Sequence, residues 1–412
     1  MSSFDYDAII VGAGAAGLFA AIHAAERGRK VLLLEKGKKP GVKILMSGGT
    51  RCNITHDCDT RGIVHAFGAN GKFLHSALAG LGPKETVAFF NGEGLATKVE
   101  DTGKVFPVSD RAVDVLDVLM KRLARSGATL ALTEPVKDVD LQPEGGFRVS
   151  TPTRTLTADR VLLTTGGKSY PGCGTTGDGY ALAMKFGHTI VPTSPALVPL
   201  TVQPTWVSEL RGITLPDVNL KVVPEQGKAL TQRRGSMLFA HFGLTGPAPL
   251  DVSRAVSGHA KPSSLTLEAD FLPHEPEQVF DEFLRAESLA SGKKQLAVVL
   301  SEKLPRRLAD QLLVLCGMAV DRKAAALARP DRLALVAAVK RLRLPLRGTL
   351  GFEKAEVTAG GVNLDEVDSR TMQSKHRPGL YFAGEVLDLD GWIGGYNFQS
   401  AWSTGWLAGK QL

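Results

Sequence analysis

Three stretches of this 412-residue chain set chemistry-bearing residues at informative spacings. In "VGAGAAG", Gly12, Gly14 and Gly17 have the G-x-G-x-x-G spacing, and Glu35 follows eighteen residues after Gly17. That set suits a dinucleotide. Gly12 permits a tight turn, Gly14 lets backbone approach a pyrophosphate, and Gly17 lets helix pack on strand. N–H groups at the helix start, from Ala13 through Ala15 and Ala16, hold the phosphates. Glu35, followed by Lys36, accepts from ribose hydroxyls; a carboxylate with no adjacent Arg favours FAD or NAD over NADP. In the second stretch, "MSGGTRCNIT", Ser47, Gly48 and Gly49 leave the backbone almost bare, and Arg51, Cys52 and Asn53 place a cation, a thiol and an amide side by side. The third, residues 379–409, is a strand, then Gly384-Glu385, then a Gly394-Gly395 turn opening a helix with Tyr396, Asn397 and Phe398. The positive end of such a helix stabilises developing negative charge.

The elements that must position these residues are legible in the hydrophobic pattern. "DAIIVGAG", "AGLFAAIHAAERG" and "KVLLLEK" read as strand, helix, strand, one βαβ unit. A helix over "SDRAVDVLDVLMKRLARSG" precedes the strand-like "ATLALTEPVKDVDL", "GFRVSTP" and "RTLTADRVLLTTGG", the last ending at Thr165 and Gly166. From about 191, prolines at 192, 195, 199, 204 and 216 break short alternating segments, as in a small β domain. The pattern is helical and basic from about 275 to 345, and the glycine-rich style returns after Pro345. The expected organisation is a nucleotide-binding domain from 1–190 and 346–412, with an inserted β part over 191–274 and a helical part over 275–345.

Composition narrows the class. No apolar run reaches the ~18 residues of a membrane span, and the acidic start lacks the basic n-region of a secretory signal. Four scattered cysteines, Cys52, Cys58, Cys173 and Cys316, make neither a disulfide framework nor a zinc site. A reducing cytoplasm is the natural compartment. The net charge is +7, yet residues 291–347 alone hold thirteen Lys and Arg against four Asp and Glu. That block suits a polyanion or, equally, solvated helix faces.

The glycine clusters over 161–187 and 379–409 decide for FAD, because a flavin stretched across a domain needs a ribityl carboxylate and a helix N-terminus, and Glu385 and Gly395 supply them. With "GAGAAG…E", "KILMSGGTRCNIT", "TTGGKSYPGCGTTGDGYALA", "MLFAHFGLTGPAPLDVSR" and "PGLYFAGEVLDLDGWIGGYNFQSAWSTG", the chain resembles the BaiN/YhiN-like family of FAD-dependent oxidoreductases. The blocks occur in family order over essentially the whole chain. One departure is Thr50, where a third glycine is expected. The resemblance implies an α/β fold: a glutathione-reductase-like Rossmann domain binding FAD non-covalently, with an inserted β-barrel domain and a small helical domain. It implies that Ser47, Gly48 and Gly49 donate N–H groups to pyrophosphate or flavin, that Lys43 and Arg51 balance charge, and that Asn53 and Thr55 bond the ring edge or fix the loop. Val136 is included in the same cofactor set.

The activity implied is hydride transfer from reduced flavin to an electron-poor C=C, with an acid protonating the neighbouring carbon. Cys52 and His241 are the first candidate acids, and Tyr170 and Tyr396 weaker ones. Cys173 reads as bordering the flavin, and Thr175, Thr176 and Asp178 as loop caps. No second G-x-G-x-x-G occurs between 191 and 345, so NAD(P)H is expected as a transient reductant without its own domain. The expected substrate is a uridine of large-subunit ribosomal RNA, reduced to dihydrouridine. The alternatives are a steroid or bile-acid-like enone, or a non-catalytic flavin redox sensor.

Overall fold

The structure, a computed structural model, describes residues 4–290 and 293–412. Two compact units emerge, one from Met1–Ser194 with Glu356–Leu412 and the other from Pro195–Ala355.

The first unit is organised by a seven-stranded sheet ordered Thr129–Ala131, Val31–Leu34, Tyr6–Val11, Thr155–Leu163, Phe147–Ser150, Asp138–Leu141, with Leu380–Phe382 also pairing on Thr155–Leu163. The pairs at its centre are parallel, with Ile10 opposite Leu33 on one side and Leu162 on the other. Parallel strands are covered on both faces, which is why Val31–Leu34 is an unbroken buried run. The expected strand "ATLALTEPVKDVDL" divides into Thr129–Ala131 and Asp138–Leu141, which lie at opposite edges of the sheet.

Helix Ala15–Ala25 follows the first strand, and the C-terminal helix Tyr396–Gln411 packs against it. The contact is nearly backbone to backbone. A Cβ on Gly405 would stand 2.4 Å from the Ala16 carbonyl oxygen, and one on Gly409 2.6 Å from that of Ala20. The last helix thereby reaches the first glycine loop. Its Trp402 is fully buried and donates Nε1–H to the carbonyl of Ile54 at 2.9 Å. Replacing such a buried aromatic by Ala typically costs about 3–5 kcal/mol, so the chain ends are firmly joined. A small antiparallel sheet of Thr55–His56, Lys104–Pro107 and Thr97–Val99 completes the part relevant here.

The second unit is a closed six-stranded antiparallel barrel ordered Leu200–Val202, Gly243–Thr245, Thr231–Ala240, Thr214–Val223, Thr266–Asp270, Leu342–Thr349. Helices Glu277–Ala290, Leu296–Leu300, Arg306–Leu315 and Arg329–Lys340 are inserted before its last strand, and they share one apolar core with the barrel. The sequence placed the end of the helical part at 345. Instead, Pro345 sits inside the strand that closes the barrel, opposite Thr266, and its carbonyl accepts from the Gln203 N–H at 2.8 Å. A proline lacks the ladder donor but keeps its acceptor, so it reads as a break without being one. The unit extends to Ala355. No described helix is long and apolar enough to cross a membrane.

Candidate functional site

The fingerprint glycines do what their spacing requires. Gly12 has φ +106, and a Cβ there would stand 2.6 Å from the Thr164 carbonyl oxygen. A Cβ on Gly17 would meet the Gly12 oxygen at 1.9 Å, whereas Gly14, the helix N-cap, faces open space. That space adjoins the first turn of the helix, with Ala15 and Ala16, where N–H groups lack intrahelical partners. Glu35 accepts from the Ala13 N–H at 2.9 Å and the Gly37 N–H at 2.7 Å, which fixes its carboxylate at the loop. Val136 packs half-buried on the same core, in the segment after Glu134, whose N–H bonds the Glu35 carbonyl. Lys36 is held elsewhere, by Thr176 at 2.7 Å and by Asp178. Thr176 also donates to Asp178, so these two residues cap their loop. A Cβ on Gly12 would lie 3.1 Å from Thr165 Cα, and Gly166 turns with φ +72.

The stretch over residues 46–55 begins with a sharp break in its backbone. The helix starting at Val42 breaks at Ser47, where ψ is 153°. Gly48, Gly49 and Thr50 then take φ values of 56, 67 and 69°, three left-handed residues in succession. Thr50 thus occupies a conformation that glycine adopts without strain, which accounts for the glycine expected there. The two glycines leave the N–H groups of this turn uncovered by side chains, and Gly49 faces open space. Its side chains divide the tasks differently from expectation. Arg51 turns to Glu100 at 2.6 Å and Asp110 at 3.3 Å, lying over the Phe106 ring at 3.9 Å, so its charge is already balanced by acids. Cys52 has φ 61° and is wholly buried, and burial pushes its thiol up to about 12 against a weak hydrogen bond toward Ser47. Such a group is a packing element and a poor proton donor at neutral pH. Asn53 is 8% exposed, and its Oδ1 is buried with no hydrogen-bond partner.

The C-terminal motif closes on this turn. Gly394 and Gly395 have φ 131 and 94°, and a Cβ on Gly395 would collide with the Thr55 carbonyl at 2.5 Å. Thr55 donates to Gln399 Oε1 at 2.6 Å. Tyr396 stacks on His56, with ring centroids 4.6 Å apart, and His56 Nδ1 lies 3.0 Å from the Gly394 oxygen. The Asn397 amide clasps Gly391 through its N–H and carbonyl, and Phe398 stacks on Trp402. Gly384 approaches the first helix, where its Cβ would lie 2.9 Å from that of Ala16. Glu385 accepts from the Thr358 N–H at 2.9 Å and the Ser169 hydroxyl, and pairs with Lys43 at 2.7 Å.

Several polar groups here escaped the sequence reading. The Tyr180 hydroxyl is buried with no hydrogen-bond partner, and burial, Glu385 and Asp388 together hold it well above the usual phenol range. Asp388 has one buried carboxylate oxygen without a hydrogen bond, while the other accepts from Asn70 at 3.1 Å. The Glu356 side chain is exposed, yet crowding around its carboxyl holds it above the usual carboxylate range in spite of Lys43 and Lys104. Asp388 stands in the "GEVLDLD" run and was visible there, whereas nothing in the local sequence singles out Tyr180 or Glu356. His241 lies in the other unit, exposed at the turn from Thr231–Ala240 to Gly243–Thr245 and in edge contact with Phe242. In the loop after Thr165, Tyr170 is left-handed with φ 54°, Cys173 touches Met46, and Thr175 caps the Ser169 carbonyl.

These residues fit FAD. The open space at Gly14 suits phosphates, Glu35 a ribose, and the left-handed run at Gly48 a second anionic or carbonyl group. The orphaned Asn53 oxygen suits a ring N–H. Fold and site together define a Rossmann-type flavin-dependent oxidoreductase. Residues 6–411 match the HI0933-like protein Rossmann domain, and the chain belongs to that family, the BaiN/YhiN-like FAD-dependent oxidoreductases. It is 37% identical over 410 residues, covering 99% of this chain and 98% of the relative, to "Ribosomal RNA dihydrouridine synthase" of Escherichia coli (strain K12). To "3-dehydro-bile acid delta(4,6)-reductase" of Clostridium scindens it is 34% identical over 409 residues, 97% of each chain. Among solved structures it is similar to the 3-ketosteroid-delta4-(5alpha)-dehydrogenase of Rhodococcus jostii RHA1. There the TM-score is 0.56 at 16% identity, over 100% of this chain and 97% of that one, a likeness of fold.

Proposed function

We propose that this enzyme reduces a uridine of large-subunit ribosomal RNA to dihydrouridine in the cytoplasm, with NAD(P)H as a transient electron donor. The observation carrying this reading is the full-length 37% identity to a protein named for that reaction. Bound FAD supplies hydride-transfer chemistry. The chain supplies the rest: N–H groups of the Gly12 and Gly48 turns for the anionic parts, Glu35 for the ribose, and Glu385, held by Lys43 and Ser169, for the ribityl hydroxyls. The first turn of the helix at Tyr396 and the Asn53 amide serve the ring. Of the two acids expected, His241 is the one proposed to protonate the carbon beside the hydride acceptor.

The basic segment supports an RNA substrate more narrowly than its composition suggests. Six acids and one base fall within residues 270–290, and Asp270, Glu275, Glu277 and Asp281 pair with Lys340, Lys303, Arg341 and Arg332. Much of the surplus is therefore spent inside the unit. Lys323, Arg329, Arg343 and Arg347 are exposed with no ion pair among the described residues. They are the proposed phosphate contacts.

The test is mass spectrometry of ribosomal RNA from cells with and without the gene. Loss of a dihydrouridine that returns on complementation supports the proposal, and an unchanged profile defeats it. The second reading, reduction of a steroid-like enone, is favoured by the bile-acid reductase relative. It predicts rapid reoxidation of the reduced enzyme by such an enone, unaffected by added RNA.

A further inference from the structure

One titratable cluster lies outside every residue assigned above. His188, Glu366 and His376, all in the first unit, bring one donor atom each to within 4.8 Å of the others. It is the one group of this kind among the described residues. His188 Nδ1 stands 3.4 Å from Glu366 Oε2, and His376 Nε2 stands 3.7 Å from the same oxygen. We propose that these three side chains form a binding site for a late first-row divalent cation, with Zn2+ as the first candidate.

The donor set is two imidazole nitrogens and one carboxylate oxygen, which suits Zn2+ and its neighbours rather than Mg2+ or Ca2+. Tetrahedral zinc with bonds of about 2.0–2.1 Å separates its ligand atoms by roughly 3.4 Å. The distances of 3.4 and 3.7 Å to the carboxylate are close to this, and the imidazole pair, within 4.8 Å, would close by at most about 1.4 Å.

A second observation points the same way. The His188 side chain is wholly buried, and its Nδ1 meets the Glu366 carboxylate at 3.4 Å without hydrogen-bond geometry. A nitrogen so placed is left short of a bond, and a cation would complete it.

The surroundings already orient the donors as metal sites require. His188 Nε2 lies 2.7 Å from Ser374 Oγ. With two backbone N–H groups on its lone pairs, the Ser374 hydroxyl donates to Nε2 in the empty site, and a cation at Nδ1 would move the ring proton to Nε2 and reverse that bond. The same oxygen accepts the N–H groups of His376 at 3.1 Å and Arg377 at 2.9 Å, tying His376's segment to His188. The Thr189 N–H donates to Glu366 Oε2 at 2.7 Å and fixes the carboxylate. The Phe382 ring packs edge-on against His188 at 4.6 Å between centroids. His376 is 41% exposed, so the fourth position is open to water. A bound cation would staple three segments separated in the chain: the turn after helix Asp178–Lys185, the turn Leu364–Glu366, and the loop before strand Leu380–Phe382.

The test uses the full-length FAD-loaded protein, stripped with a chelator and dialysed, then titrated with Zn2+ by calorimetry and metal analysis. One equivalent of Zn2+ per chain is expected, with a rise in melting temperature. His376→Ala changes an exposed ring and should keep the fold and the flavin spectrum. It is expected to lower Zn2+ affinity at least about tenfold and abolish the melting shift, and Glu366→Gln should do the same. Absence of stoichiometric binding in the wild-type protein overturns the site, leaving only an imidazole–carboxylate ion-pair cluster. Equal binding by wild type and His376→Ala overturns it as well, by placing the metal elsewhere. Neither outcome bears on the flavin reading, since both are scored with FAD bound.

Discussion

Asn53 and Gly395 meet at the centre of the site, where a Cβ on the glycine would stand 2.8 Å from the Asn53 amide oxygen. One residue belongs to the loop that follows Glu35 and helix Val42–Thr50, the other is the N-cap of the last helix. Their contact means that the first and last parts of the chain build one wall. The oxygen has no hydrogen-bond partner within that wall. Its unmet bond and the positive helix end beside it favour the same kind of occupant, a ring presenting an N–H and accepting negative charge.

Gly395→Ala should therefore damage the site from its centre. The new Cβ would collide with the Thr55 carbonyl at 2.5 Å, and φ +94 is strained for any L residue. We expect a loss above about 2 kcal/mol in stability and a protein that emerges with little flavin. Absorbance at the flavin bands and a melting curve decide it. A yellow variant with wild-type melting would show that the two chain ends are not closed over the cofactor.

What the sequence disclosed follows from where backbone constraint leaves its mark. Gly12, Gly17, Gly48 and Gly395 are glycines because another atom occupies the place of a Cβ or because φ is positive, so their spacing carried the backbone turns directly. Side-chain direction left no such mark. Arg51 was assigned to the cofactor beside its loop, but its acids, Glu100 and Asp110, stand 49 and 59 residues further on. Cys52 looked like a flavin-facing thiol because its neighbours do, yet φ 61° turns its side chain into the core. The barrel's last strand was hidden by Pro345, which looks like an interruption and is tolerated where only its carbonyl is used.

The buried thiol gives a pH signature. Burial raises the folded-state value of Cys52 to about 12, whereas an unfolded thiol titrates near 8.5. The folded state thus retains a proton that the unfolded state gives up. The associated stability is fully present below about pH 8.5 and is lost as pH rises toward 12. Cys52→Ala should flatten this alkaline decline while leaving turnover within about threefold, since packing is its main role. Chemical denaturation from pH 7 to 10.5 measures the first and steady-state rates the second. A rate loss of a hundredfold would restore Cys52 as the proton donor.

Arg343 and Arg347 project from the strand that closes the barrel, both exposed. If they meet phosphates, Arg343→Ala and Arg347→Ala should each weaken RNA binding across sequences and reduce the salt-dependence slope by about 1. Binding isotherms at three salt concentrations suffice. Unchanged slopes in both variants would remove this strand from the RNA contact.

His241→Asn tests the proposed acid. The ring is exposed at a hairpin turn, so the substitution should leave melting and flavin content unaltered. Positioned acid catalysis contributes about 10²–10⁴-fold, and a loss in that range is expected for product formation. Reduction of the flavin by NAD(P)H should be untouched, because that half-reaction needs no proton delivered to a substrate carbon. Stopped-flow measurement of the two half-reactions separates these effects. If both slow equally, His241 shapes the site without donating the proton; if neither slows, another group protonates the product, with Glu356 the next to replace because its side chain is exposed and its carboxyl is held above the usual range.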